Sequence, residues 1–172
     1  EKPDVFAATH RLVFDWLRDE LVTGLRIDHP DGLFDPSGYF QEIQRTRFLQ
    51  LCREQMTPDI AESPDAAPLL SALEAHWTDE PRKLMSPLSR PVYTVVEKIL
   101  EHGEPFPADW QVHGTVGYEF LNSLNDIFVD PLGEKDLSAT YTRLTGADND
   151  FSELAYICKR LNVRHSMSSE LN

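Results

Sequence analysis

Cysteine is nearly absent. Only Cys52 and Cys158 occur in 172 residues, and they form no Cys-x-x-Cys spacing. That excludes a zinc knuckle and a disulfide framework. Both fall in helix-like stretches and read as packing residues or free thiols of a reducing compartment. Positive charge is also scarce: 16 Lys and Arg face 29 Asp and Glu, a net charge of -13. A field of that sign repels phosphate backbones and anionic lipid, so no nucleic-acid or membrane partner is expected. No apolar run approaches membrane-spanning length, and the opening Glu1-Lys2-Pro3-Asp4 has neither a signal-peptide pattern nor an initiator Met. With helix-like sequence running into Asn172, the expectation is a stretch of a longer, cytoplasmic protein. A neutral ligand is compatible with the charge but not indicated by it.

What is present centres on Gly24-Leu25-Arg26-Ile27-Asp28-His29-Pro30-Asp31-Gly32. Apolar and charged residues alternate through Leu25, Arg26, Ile27 and Asp28, as in a strand, and Pro30 and Gly32 then stop it. Period-2 geometry puts Arg26 and Asp28 on one face and Leu25 and Ile27 on the other. An arginine and a carboxylate on one strand face are either a structural ion pair or one wall of a polar cleft. Pro91 to Leu100 is rich in β-branched and aromatic residues and reads as a buried strand, with Glu97 directly after Val95-Val96. Two strands that each end in an acid suggest one site at the C-terminal edge of a parallel α/β sheet or barrel.

Around these strands the periodicity predicts helices. One spans 5–23, with Phe6, Leu12, Val13, Trp16, Leu17 and Leu21 at helical spacing, Thr9 as a cap and Gly24 as its end. Another spans 39–55, with Phe40, Ile43, Phe48, Leu49 and Cys52 inward. Asp31 and Asp35 sit in a loop that does not match a calcium-binding pattern, so no metal and no cofactor are expected. A short helix is expected over 69–77, then a polar, proline-bearing run over 79–90. Residues 112–120 read as a short third strand or a loop corner. Helices are expected over 121–128, 135–144 and from 151 onward.

Three segments carry a resemblance. Gly24 to Leu33 is similar to the second signature segment of the alpha-amylase superfamily of glycoside hydrolases. Within it, the stretch resembles the maltooligosyl trehalose synthase family. Val95-Val96-Glu97-Lys98-Ile99-Leu100 resembles that family's acid segment. Gly114-Thr115-Val116-Gly117-Tyr118-Glu119-Phe120-Leu121-Asn122 resembles its GTTGYDFLN stretch, with Val116 and Glu119 as departures. The resemblance implies an α/β fold, an incomplete (β/α)8 TIM-barrel segment with a largely helical insertion and the start of a helical subdomain. It implies barrel elements over 1–44 and 91–130, an insertion over 45–90, and the helical subdomain over 131–172. Asp28 matches the nucleophile, Glu97 the general acid/base and Arg26 the arginine that orients the nucleophile. His29 matches a position near the sugar subsites. Tyr118, Thr115 and His113 are further candidates for sugar contact, since aromatic faces and hydroxyls suit sugars. The family's third carboxylate and its Asn-His segment have no match here, so this stretch by itself is expected to be inert.

The implied reaction converts the reducing-end α-1,4 linkage of a maltooligosaccharide to an α,α-1,1 linkage by intramolecular transglucosylation. The alternatives are an amylase-type hydrolase or transglucosylase using the same acids, and a non-catalytic helical interaction module. Uncovered strand edges also predict that the isolated stretch dimerises or is locally disordered.

Overall fold

A computed structural model describes residues 2–79, 90–101, 103–147 and 150–167. The polar run expected over 79–90 falls almost wholly outside the described residues. The chain divides into two units, Glu1–Asn122 and Ser123–Asn172.

The first unit opens with helix α1, Pro3–Arg18. Proline suits the first helical turn because its missing amide would have found no partner there. The helix stops five residues earlier than its periodicity suggested. Glu20 turns to a φ of 56°, and the amides of Leu21 and Val22 return to the Trp16 carbonyl at 2.9 and 3.4 Å. Thr9 does not cap: its hydroxyl donates to the Val5 carbonyl one turn back, at 2.9 Å. The buried stripe is Phe6, Phe14 and Leu17, while Leu12, Trp16 and Leu21 are exposed.

Strand β1 is Gly24–Ile27. Gly24 belongs to it and does not end the helix. A Cβ there would lie 2.7 Å from the Tyr93 carbonyl oxygen, so only glycine lets the neighbouring strand approach. A 3-10 turn, Pro30–Gly32, leads into helix α2, Pro36–Glu54. Asp35 caps α2 by accepting the Gly38 amide at 2.8 Å. Phe40, Ile43 and Phe48 face inward as expected. The boundary expected at residue 44 falls inside this single helix. Short helix α3, Pro58–Ala61, and helix α4, Ala66–Asp79, follow. Phe48 stacks on Trp77 at 5.8 Å, and Arg45 reaches Glu74 at 2.5 Å, so α4 is tied to α2.

Strand β2 is Tyr93–Val96 and β3 is only Gly114–Thr115. The sheet order is β1-β2-β3, all parallel. A helical crossover separates β1 from β2, as parallel pairing requires, while among the described residues no helix lies between β2 and β3. The sheet is covered on one face. Thr94 and Val96 are buried against the helices with Val92, Val112, Phe40 and Ile43. Tyr93 is 58% exposed, so β2 is not the two-sided buried strand that its apolar run suggested. Its other face is polar because Arg26, Asp28 and Glu97 lie along it.

The buried Gln44 of α2 holds this layer together. Its amide nitrogen donates to the carbonyls of Val92 and Gln111, both at 3.0 Å. Its oxygen accepts the Val92 amide at 2.9 Å. One side chain thus satisfies backbone groups leading into both β2 and β3.

The second unit continues from helix α5, Tyr118–Asp126, through a 3-10 turn, Pro131–Gly133, to helices α6, Glu134–Thr145, and α7, Phe151–Ser166. Gly146 takes a φ of 70°, ending α6 in the left-handed conformation glycine allows. Asp150 caps α7 by accepting the Glu153 amide at 2.9 Å. None of the described residues of these helices is buried, and Leu132, Leu144 and Phe151 are widely exposed.

Replacing Gln44 with leucine is expected to destabilise the first unit by about 2–4 kcal/mol, since it removes three hydrogen bonds to backbone groups in the core. Urea unfolding of wild type and Gln44→Leu measures this. A difference under about 0.5 kcal/mol would remove Gln44 from that structural role.

Candidate active site

The register of β1 on β2 builds the site. Leu25 opposes Thr94, Arg26 opposes Val95, and Ile27 opposes Val96. The ladder runs one residue further, where the Glu97 amide donates to the Ile27 carbonyl at 2.8 Å. Glu97 therefore emerges beside Asp28, on strands whose neighbours lie about 4.8 Å apart. Pleating sends both acids, and Arg26, to the face away from the helical core.

Arg26 joins the two acids. Its Nη1 lies 2.6 Å from Asp28 Oδ1, and its Nη2 lies 3.7 Å from Glu97 Oε1. Tyr118, at the start of α5, donates its hydroxyl to the same Glu97 oxygen at 3.2 Å. The Glu97 side chain is 26% exposed against 66% for Asp28, so one acid is sheltered and the other open. Of the residues singled out from sequence, Asp28, Arg26, Glu97 and Tyr118 come together.

The others are placed differently. His29 follows Asp28 with a φ of 45° and is exposed at the mouth of the turn. Thr115 gives its hydroxyl to Glu119 Oε1 at 2.5 Å and accepts the Gly117 amide at 3.0 Å. It is engaged within its own loop, by one of the two residues that depart from the family pattern. His113 lies toward the amino ends of the strands. Its amide donates to the Thr94 carbonyl at 2.7 Å, its Nδ1 accepts the Thr94 amide at 3.1 Å, and its ring packs on Tyr93 at 4.7 Å. It is thus not gathered with the acids. Asp31, weighed as a metal ligand and set aside, faces the ammonium of Lys98.

Beside Asp28 opens a cavity of about 510 Å³, lined by Phe6, His10, Tyr39, Leu33, Asp28 and His29 among others. His10 Nε2 and the Tyr39 hydroxyl are 2.9 Å apart, and the His10 ring stacks on Phe6 at 4.1 Å. Sequence reasoning passed over His10 and Tyr39. The available signal was the four-residue spacing of Phe6, His10 and Phe14 along α1, which puts three rings on one stripe.

Two carboxyl groups roughly 5 Å apart, one free to attack and one able to donate a proton, are the equipment of retaining glycoside processing. An arginine and a carboxylate pair at the carboxyl ends of neighbouring parallel strands fit that class of enzyme. The comparisons narrow it. No protein-family model matches the chain. Over 97% of its length the chain is 30% identical to a protein of Mycobacterium tuberculosis that carries the name maltooligosyl trehalose synthase. The maltooligosyltrehalose synthase structure from Arthrobacter ramosus matches 99% of the chain at 29% identity, with a TM-score of 0.64. The DSM5389 glycosyltrehalose synthase matches 98% at 27% identity and a TM-score of 0.63. The chain spans about a sixth of these relatives, 16% of the first and 17% of each structure. The family that the three segments resemble is thus the one the comparisons name.

Partial desolvation, with the nearby charge of Arg90, holds His113 below its ordinary value. A depressed value means that the neutral ring is the folded form. Its stabilisation is complete above the ordinary histidine range and is lost as pH falls through the depressed value. An NMR titration of His113 should give a midpoint below about 6.5, and Arg90→Gln should move it upward. A midpoint at or above that of a free histidine contradicts this.

Proposed function

We propose that the protein containing this chain rearranges the reducing end of maltooligosaccharides, converting an α-1,4 linkage to an α,α-1,1 linkage by intramolecular transglucosylation, in trehalose synthesis. The observation that carries the reading is the shared contact of Arg26 with Asp28 and Glu97 at the ends of two paired parallel strands. The similarity to maltooligosyl trehalose synthases supports the choice of reaction. On this reading β1, β2 and β3 are strands of a (β/α)8 barrel, and their polar face looks into its interior. The protein works in the cytoplasm on a neutral glucan.

Asp28 attacks the anomeric carbon of the reducing-end linkage, and the C1–O4 bond breaks. Glu97 gives its proton to the departing O4. The glycosyl group is then held as an ester on Asp28. The freed glucose turns within the site and presents its own anomeric hydroxyl. Glu97, now a carboxylate, takes that hydroxyl's proton while the oxygen attacks the glycosyl carbon and releases Asp28. Arg26 orients Asp28 through the 2.6 Å contact, and Tyr118 orients Glu97 through its hydroxyl. Water must be kept out of the second step, or the ester is hydrolysed.

Incubating the full-length protein with maltopentaose, and following reducing ends alongside product size, tests the reading. Loss of reducing ends at unchanged chain length is expected. A rise in reducing ends with shorter products would replace the isomerase with a hydrolase using the same acids. Asp28→Asn and Glu97→Gln should each lower kcat at least about a thousand-fold. Near-normal turnover in either would sink the assignment.

A further inference from the structure

Three charged side chains border the carboxylate pair and have no part in the steps above. Lys98 follows Glu97 directly, Asp31 lies in the turn just beyond Asp28, and Glu104 lies across the loop leaving β2. Lys98 Nζ is 2.9 Å from Glu104 Oε1 and 3.3 Å from Asp31 Oδ1. The lysine side chain is only 10% exposed, and lysine is seldom so covered unless paired. Both anchors are themselves held. Pro30, beside Asp31, is fully buried, and Glu104 Oε2 accepts the Glu101 amide at 2.9 Å.

Where the tie sits gives it meaning. The backbone ladder between β1 and β2 ends with the Glu97 amide on the Ile27 carbonyl. Past that bond the two chains leave the sheet, and among the described residues no further backbone bond joins them. Asp28 is the first residue beyond the ladder on its side, and Glu97 contributes the last rung on the other. The next link between the chains is Lys98 with Asp31. A ladder on one side of the acid pair and an ion pair on the other would fix their separation. The hydrogen bond to Glu104, then the contact with Asp31, hold the Lys98 ammonium above its ordinary value. It therefore stays charged throughout the neutral range.

We propose that Lys98 is a positioning residue for the Asp28–Glu97 pair, its ammonium clamping the turn after β1 to the loop after β2 so that the two carboxylates keep their spacing. The proposal rests on the function proposed above. A role in gripping sugar is disfavoured by geometry, because the ammonium is covered and already faces two carboxylates.

The test uses the full-length protein on maltopentaose with Lys98→Met, Lys98→Arg, Asp31→Asn and the Lys98→Met/Asp31→Asn double variant. Lys98→Met should lower kcat roughly ten- to hundred-fold, the scale of a displacement near 1 Å, while KM stays within about two-fold. A larger share of glycosyl groups should be lost to water, and Lys98→Arg should recover most of the loss. Asp31→Asn should also lower kcat, and the double variant should be no worse than Lys98→Met, because one link is being cut twice. A Lys98→Met kcat within about two-fold of wild type overturns the proposal. So does a rise in KM alone, which would make Lys98 a substrate contact, or losses that multiply in the double variant. Should Lys98→Met fail to fold, Asp31→Asn decides, and wild-type kcat in that variant overturns the clamp. A wild-type protein without activity on the glucan overturns the function reading itself, a different result from an active enzyme indifferent to Lys98.

Discussion

Two four-residue strands in parallel register are the constraint on which the site depends. Neither is long enough to hold itself. Their alignment is enforced by what lies on either face: Leu25, Ile27, Thr94 and Val96 against the helices, and the absence of a side chain at Gly24 where the Tyr93 carbonyl comes close. Once Ile27 opposes Val96, the backbone has no choice but to deliver Asp28 and Glu97 side by side. Bringing two carboxylates together is unfavourable in itself, and the guanidinium of Arg26, itself on the strand, lies between them to offset it. Fold and chemistry thus share one cause, and the apolar face positions the polar one.

Gln44 extends the same logic to the chain entering the sheet. In the segments before β2 and β3, a helix side chain takes up backbone groups of Val92 and Gln111 as a neighbouring strand would. A buried amide in that role costs little because each of its groups is used, whereas a partly used one would be a liability. This explains why a polar residue sits on the inner stripe of α2 between Ile43 and Phe48. The same stripe reaches α4 through Phe48 and Trp77. The crossover helices are therefore fastened to the strand pair and do not merely connect it.

Much of this was legible in the sequence, for reasons that can be named. Alternation at Leu25–Asp28 gave the strand and the face of its charges, and the apolar run before Glu97 gave the partner strand. The convergence of Asp28, Arg26 and Glu97 followed from two strands ending alike, whereas the bond of Tyr118, a candidate for sugar contact, to Glu97 had no such signal. The failures cluster where a distant partner decides. The end of α1 was misjudged because Leu21 continues a helical rhythm that the turn at Glu20 interrupts, and period alone cannot see a positive φ. Gln44 was missed because its worth lies in two backbone segments far along the chain. The bond of the His113 ring to the Thr94 amide likewise depends on a strand far back in the chain. Lys98 follows Glu97 in the chain, yet its charge is met by Asp31 and Glu104.

The strict period of two in β1 and β2 has a further consequence. A slip of one residue between them would part Asp28 from Glu97. It would also turn Arg26 and Asp28 inward and push Leu25 and Ile27 into water. The penalty for a disordered site therefore falls on the core, where it is large, and not on the site itself. Folding acts as the proofreader: a chain stable enough to persist is already one in which the acids are adjacent. Such an arrangement forbids any insertion or deletion within the eight residues of the two strands.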